Sequence, residues 1–202
     1  MERIRFFGLD MTIHRRTFMA EAAGLCSAAA SQGAAVAPAK GRPFAHPGIL
    51  QTRQDLELMK AKVTAGEQPW KRAWGNLRSE PYSRLEFRPK PAAHVARGSF
   101  GSNASGDREL SASADAAYSH ALQWYITGEK AHARKAKEVL EAWSETLWDF
   151  EGNDAKLLAG WTGGALCNAA EILLATASGW EAAGVKKFQR LMLTVYHPLL
   201  KD

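Results

Sequence analysis

Residues 107–148 read DRELSASADAAYSHALQWYITGEKAHARKAKEVLEAWSETLW, and the fold class depends on this stretch. Its apolar side chains recur at three- and four-residue steps, the spacing of one buried face of a helix. They are Leu110, Ala114, Ala117, Ala121, Leu122, Trp124 and Tyr125 in the first half, and Ala133, Ala136, Val139, Leu140, Trp143 and Leu147 in the second. Gly128 stands between the halves and can end the first helix. The pattern therefore predicts two helices joined tightly enough to lie antiparallel.

The segments before this hairpin begin with helical signals and end in a loop. Thr52 can cap a helix with Asp55 at its third position, and Pro69 suits the first turn of the next helix. From about Glu80 to Gly106 the periodicity disappears, and prolines, glycines and polar residues dominate. Loops of this length inside a compact domain are usually functional or disordered.

The segments after the hairpin also have helical spacing. A long apolar helix is expected, with an interruption at Gly163-Gly164. A short connection flanked by Gly179 and Gly184 leads to a last amphipathic helix over residues 185–199. Because no stretch alternates with period two over a useful length, the sequence predicts an all-α fold.

The first 39 residues are typical of an export signal. Arg15-Arg16-Thr17-Phe18-Met19 resembles the twin-arginine motif, and the alanine-rich segment Ala20 to Ala30 follows it. Small residues offer a cleavage site after Ala39, which makes residues 40–202 the mature domain. The apolar segment is too short and too rich in alanine to be a stable membrane anchor. The sequence thus predicts a periplasmic or secreted protein, and the alternative is a disordered basic tail.

Charge and cysteine content limit the partners. The chain carries 26 basic and 21 acidic side chains. This mild excess suits an anionic polymer, but it predicts no nucleic-acid binding because it is not concentrated in a patch. Cys167 is the only cysteine after the signal and is expected to be a small core residue. No cofactor is predicted, and no metal site, because His120 and His132 have no further ligand at metal-binding spacing.

Several short segments together resemble one family. They are His46-Pro47-Gly48-Ile49-Leu50, Asp55 to Lys60, Gly66 to Trp70, Ala116 to Trp124 with Thr127-Gly128, Ala133 to Leu147 with Gly152-Asn153-Asp154, and Asn168 to Leu173. In order and spacing they resemble the alginate lyase superfamily of polysaccharide lyases over about residues 46–200. The resemblance implies the amino-terminal half of an incomplete toroid of paired antiparallel helices. It also implies an acidic, uronate-containing polysaccharide such as alginate as the partner, cleaved by β-elimination.

An alternative is a noncatalytic helical-repeat module of the tetratricopeptide type. The spacing of small and aromatic residues between Tyr118 and Trp143 also fits such a unit. However, the predicted hairpins differ in length and a proline-rich loop separates them. A repeat array would show a constant period, so we favour the lyase-like interpretation.

The family resemblance associates catalysis with an Asn-His pair, a tyrosine and an arginine. The sequence contains no Asn-His dipeptide, and by comparison with the family that segment would follow residues 188–200. The expectation is therefore that this chain stops before the catalytic segment at Asp202. No catalytic residue is assigned.

Five residues are candidates for sugar binding. Arg97 could form a two-pronged pair with a uronate carboxylate, and His94 and Asn103 in the same loop could bond to hydroxyls. Tyr118 and Trp161 could stack on sugar rings, although aromatic residues at helical spacing are more often part of the core. The alternative for each loop residue is an ordinary solvent-exposed side chain, which is the more common case.

The last predicted helix carries an apolar stripe. It consists of Phe188, Leu191, Met192, Val195 and Tyr196. The resemblance implies that helices beyond residue 202 would cover part of it. Self-association through the uncovered part is therefore possible.

Overall fold

The computed structural model describes residues 45–98 and 104–201 of the chain. The predicted signal and its cleavage site lie outside these residues. The helices are α1 (Arg53–Thr64), α2 (Trp70–Ser79), α3 (Asp107–Thr127), α4 (Lys130–Thr146), α5 (Ala155–Leu174), α6 (Ala182–Leu191) and α7 (His197–Leu200). A 3₁₀ turn covers Pro81–Ser83, and two short strands, β1 (His94–Ala96) and β2 (Asp149–Glu151), complete the described part. The all-α prediction is confirmed, whereas the closure into a toroid stays a prediction.

The hairpin formed by α3 and α4 is confirmed. Gly128 adopts the left-handed conformation at the end of α3, with φ of 74°, and its N–H bonds to the carbonyl of Trp124 at 2.8 Å. Four alanines that let the two helices approach are buried, at positions 117, 121, 133 and 136. Trp143 is fully buried as well. The hairpin is therefore stabilised mainly by removing apolar surface from water.

The start of α1 also agrees with the sequence. Thr52 accepts a hydrogen bond from the Asp55 amide, and the Asp55 carboxylate accepts one from the Thr52 amide at 2.9 Å. These two bonds satisfy amide donors that the first helical turn cannot pair. Leu56, in the first turn, is the fully buried residue of this helix.

Helix α5 packs against α3 and is continuous, so the predicted interruption at Gly163-Gly164 is wrong. Glycine is needed at position 163 for packing. A β-carbon there would lie 2.9 Å from Cδ1 of Tyr196. By length and composition α5 could cross a membrane, but 56% of its most apolar window is buried inside the protein. Burial of this kind is typical of a core helix.

The carboxy-terminal helical region differs from the prediction in two ways. Gly184 lies inside α6 instead of flanking the connection. A β-carbon at this position would collide with the side chains of Glu141 and Trp180, so glycine is needed there for packing. The predicted last helix is divided into α6, a π-helical turn over Met192–Tyr196, and α7. The expected uncovered stripe is mostly covered, since Phe188, Leu191 and Tyr196 are at most 5% exposed.

The strands β1 and β2 were not predicted from the sequence. They pair in parallel, with His94 opposite Asp149, Val95 opposite Phe150 and Ala96 opposite Glu151. Val95 and Phe150 point into the core. This two-stranded ribbon replaces part of the predicted polar loop and connects it to the end of α4.

Candidate functional site

Two groups of polar and aromatic residues lie at the ribbon. Successive side chains of a strand point to opposite faces. His94, Asp149 and Glu151 therefore lie on the exposed outer face, opposite the buried Val95 and Phe150. We call these three residues and the neighbouring Trp148 the outer group.

His94 is the centre of the outer group. Its Nδ1 atom lies 3.5 Å from Oδ2 of Asp149 and 3.9 Å from Oε1 of Glu151. The indole N–H of Trp148 donates to Nε2 of His94 at 3.3 Å, and the two rings meet edge to face. In neutral His94 the single proton then lies on Nδ1, facing the carboxylates. The arrangement can hold or transfer a proton at Nδ1.

In the described part of the chain, His94, Asp149 and Glu151 form a group that could hold a metal ion. One ligand atom from each lies within 4.8 Å of the others. If Nδ1 of His94 bound a metal ion, the single proton of the ring would have to lie on Nε2. In the structure, however, Nε2 accepts a hydrogen bond from the Trp148 indole and has no room for a proton. A metal would therefore require Trp148 to move. The contacts as they stand favour an imidazole–carboxylate pair.

The second group contains Arg97 and Trp161. The Arg97 guanidinium carbon lies 5.2 Å from the centroid of the Trp161 ring, and Nη1 lies 3.8 Å from Oδ2 of Asp107. Trp161 is 50% exposed, and the Arg97 side chain is 33% exposed. The separation from Asp107 is longer than a hydrogen bond, so the guanidinium can still bind a second carboxylate in a two-pronged manner. We call Arg97 and Trp161 the Arg–Trp pair.

The backbone of Arg97 is fixed on both sides. Its amide donates to the Glu151 carbonyl at 2.9 Å, and its carbonyl accepts from the Asp154 amide at 3.2 Å. Gly152 has φ of 94° and passes so close that a β-carbon there would overlap the Arg97 carbonyl. The start of α5 and the end of β1 therefore hold each other in place, which positions Arg97 relative to Trp161.

Comparison with known families identifies the chain. A family profile described as alginate lyase matches residues 75–197, which is more than half of the sequence. The chain belongs to the alginate lyase family. No curated protein and no solved structure matches it. The family makes a polysaccharide the substrate class and gives the chain a polysaccharide lyase-like function.

The match covers both groups at the ribbon, since His94, Arg97 and Trp161 all lie within it. In this alginate lyase family member, His94 and Arg97 nevertheless belong to different groups, although they are three residues apart. His94 points outward, while Arg97 extends toward α3 and α5. The structure thus pairs Arg97 with Trp161, both predicted, and His94 with three residues that were not predicted.

The two other predicted sugar-binding residues are Tyr118 and Asn103. Tyr118 is 4% exposed in the core, where burial raises the pKa of its hydroxyl to about 12. Its ring face is therefore covered by protein. Asn103 lies outside the described residues. Tyr118 belongs neither to the outer group nor to the Arg–Trp pair.

An apolar groove of about 390 Å³ lies between α5 and the carboxy-terminal helices. Gly163, Cys167 and Tyr196 are among its lining residues. Burial, followed by the negative charge of Glu171, raises the pKa of the Cys167 thiol. Because the thiolate is the reactive form, Cys167 is expected to be unreactive here. Cys167 is partly exposed at the groove, so it lies at the edge of the core.

Proposed function

We propose that this alginate lyase family member acts on an acidic polysaccharide, such as alginate, whose uronate units it binds at the Arg–Trp pair. The observation that carries the proposal is the position of the Arg97 guanidinium over the half-exposed ring of Trp161. A guanidinium can pair with the carboxylate of a uronate, and an exposed aromatic ring can stack on the pyranose face. One pair of residues would thus recognise both features of the sugar.

The reaction that we propose for the family domain is β-elimination. It needs a donor that neutralises the uronate carboxylate, a base that removes the proton at C5, and an acid that protonates the leaving oxygen at C4. Arg97 is suited to the first role. We assign the base and the acid to no residue of this chain, because the Asn-His pair that the family resemblance implies does not occur in its sequence.

The place of action that we propose is the periplasm or the exterior of the cell. The proposal rests on Arg15-Arg16 and the alanine-rich segment behind them. Self-association also stays a prediction. It is supported by the exposure of Leu157, Leu193 and Leu200, which are 49%, 66% and 46% exposed. Apolar side chains exposed in this way lose contact with water when two copies associate.

The experiment that tests the binding proposal compares two oligosaccharides of equal length, one of uronate and one neutral. We expect Arg97→Ala to weaken binding of the uronate oligosaccharide about tenfold or more at low salt, because a charge-assisted hydrogen bond is lost. Binding of the neutral sugar should change little. Arg134→Ala is the matched control, since Arg134 is an exposed arginine on α4. Equal weakening for both sugars would exclude Arg97 from carboxylate recognition.

A further inference from the structure

Two histidines that belong neither to the outer group nor to the Arg–Trp pair meet in the interior of the protein. His120 of α3 is fully buried, and His132 of α4 is 9% exposed. Their Nδ1 atoms lie 2.8 Å apart, and their rings stack with centroids 5.0 Å apart. A contact this short between two nitrogens requires one shared proton, so one ring donates and the other accepts. Full protonation of both rings would place two protons between the nitrogens and break the contact.

The pair lies beneath the segment 81–88, which follows α2. The Ser83 hydroxyl bonds to that of Ser119 at 2.7 Å, and the Gln123 amide donates to the Ser83 carbonyl at 3.0 Å. Lys135, only 6% exposed, donates to the Phe87 carbonyl at 2.9 Å. Segment 81–88 is therefore attached to α3 and α4 by buried and half-buried polar contacts.

The charges around the pair oppose its protonation. Burial first, then the charge of His132 and then that of Lys135, lower the pKa of His120 to about 4. The carbonyls of Arg84 and Tyr82 attract its proton and partly offset this lowering. The pKa of His132 is also lowered, by burial and by Arg78 of α2, while Glu129 raises it. Both rings are thus held uncharged at neutral pH.

We propose that His120 and His132 form a pH-sensitive latch that holds segment 81–88 on α3 and α4 at neutral pH and releases it on acidification. When both rings are neutral, His120 and His132 keep their contact beneath segment 81–88. When both rings are charged, they repel each other and the contact is lost. Because segment 81–88 leads through an extended stretch to β1, loosening it would also loosen the strand that carries His94 and precedes Arg97.

The direction of the effect follows from the proton balance. A histidine whose pKa falls on folding contributes stability that is present above its unfolded pKa of 6.5 and is lost as the pH falls toward the folded value. Through His120 alone, the equilibrium constant for opening of segment 81–88 should rise about twentyfold when the pH falls from 7 to 5.

Asp115 has the opposite effect on the same segment. Burial and the charge of Glu80 raise its pKa to about 6, so acidification favours the closed state through this group. The latch must therefore be measured as a difference between two proteins that both contain Asp115.

The test is hydrogen exchange of the full chain at pH 7 and pH 5, corrected for the intrinsic pH dependence of exchange. The reporters are the amides of Ser83, Arg84 and Phe87, which donate to the carbonyls of Glu80, Pro81 and Arg84, respectively. His120→Gln keeps an acceptor and a donor but does not titrate. We expect opening of segment 81–88 to increase about twentyfold more in the unmodified chain than in His120→Gln. His197→Gln is the control, because it replaces an exposed histidine. It should show the same pH dependence of opening as the unmodified chain.

Two results would overturn the latch. One is the same pH dependence in the unmodified chain and in His120→Gln. The other is an equal loss of protection in α5, because that would mean global unfolding. If His120→Gln does not fold, NMR titration of the unmodified chain decides the question. The ring signals of His120 should then titrate below pH 5, and titration at pH 6.5 or above would contradict the proposal.

Discussion

The guanidinium of Arg97 lies over the ring of Trp161, with 5.2 Å between the guanidinium carbon and the ring centroid. The contact joins the residue that follows β1 to the second turn of α5. Asp107 holds the guanidinium from the side of α3. An arginine held between a carboxylate and an aromatic ring loses less conformational freedom on binding than a free side chain does. The pair is therefore preorganised for a ligand that offers a carboxylate and an apolar face.

Substitution by alanine should change the stability in opposite directions at two neighbouring glycines of α5. Gly163→Ala should lower the free energy of unfolding by about 1–2 kcal/mol, because the new β-carbon would meet the buried Tyr196 ring. Gly164→Ala should raise it by about 0.5–1 kcal/mol, since nothing lies within 4 Å and alanine favours the helix. Urea denaturation of both variants checks this. Destabilisation by both would contradict the packing described for α5.

The close approach of Gly152 to Arg97 predicts a second contrast. Gly152→Ala should destabilise the chain by more than about 2 kcal/mol, because its β-carbon would overlap the Arg97 carbonyl. Gly128→Ala is the matched control. Gly128 is also left-handed but has nothing within 4 Å, so its substitution should cost only about 1 kcal/mol. Thermal unfolding measures both, and similar losses would exclude a special role for Gly152.

Asp115 predicts a pH-dependent gain of stability. Its folded pKa of about 6 lies above the ordinary value of an aspartate, so the ionised carboxylate destabilises the folded state above pH 6. Asp115→Asn should therefore raise the free energy of unfolding at pH 7 by about 1–3 kcal/mol. The gain should disappear as the pH falls through 6 toward 4. Denaturation at both pH values tests this, with the exposed Glu109→Gln as a control without such a gain.

The part of the fold that the sequence predicts is the part fixed by local spacing. Trp143 and the alanines of the hairpin recur at helical intervals, so their burial is visible in the sequence. The pairing of His94 with Asp149 is not visible, because three-residue strands are too short to show alternation and their register depends on packing between distant segments. Gly163 was interpreted as a helix break because the approach of Tyr196 is a tertiary contact.

Some residues of the candidate site were predicted from the sequence, but their contacts with one another were not. Arg97 and Trp161 were each predicted by residue type, but only the structure pairs them. Trp148 was not predicted as a site residue, because in the sequence it directly follows Leu147, the last residue of the predicted buried face. It is 70% exposed, since α4 ends at Thr146 and the chain then turns into β2.

The export hypothesis predicts that lysine cannot replace the arginine pair. Changing Arg15 and Arg16 to lysine should leave a longer precursor in the cytoplasm, because the charge is kept but the guanidinium geometry is lost. Cell fractionation and sequencing of the amino terminus provide the measurement. A mature terminus near Lys40 is expected for the unmodified protein. Normal processing of the double variant would exclude the twin-arginine route.

The most direct test of the proposed polysaccharide site is NMR of the tryptophan indole N–H groups during titration with a uronate oligosaccharide. The proposal predicts that the Trp161 signal shifts and saturates, and that Arg97→Ala abolishes the shift. The indole of Trp180 donates to Glu141 at 2.8 Å, away from the ribbon, and should stay unchanged as an internal control. A shift of Trp148 without a shift of Trp161 would place binding at the outer group and contradict the assignment to Arg97 and Trp161.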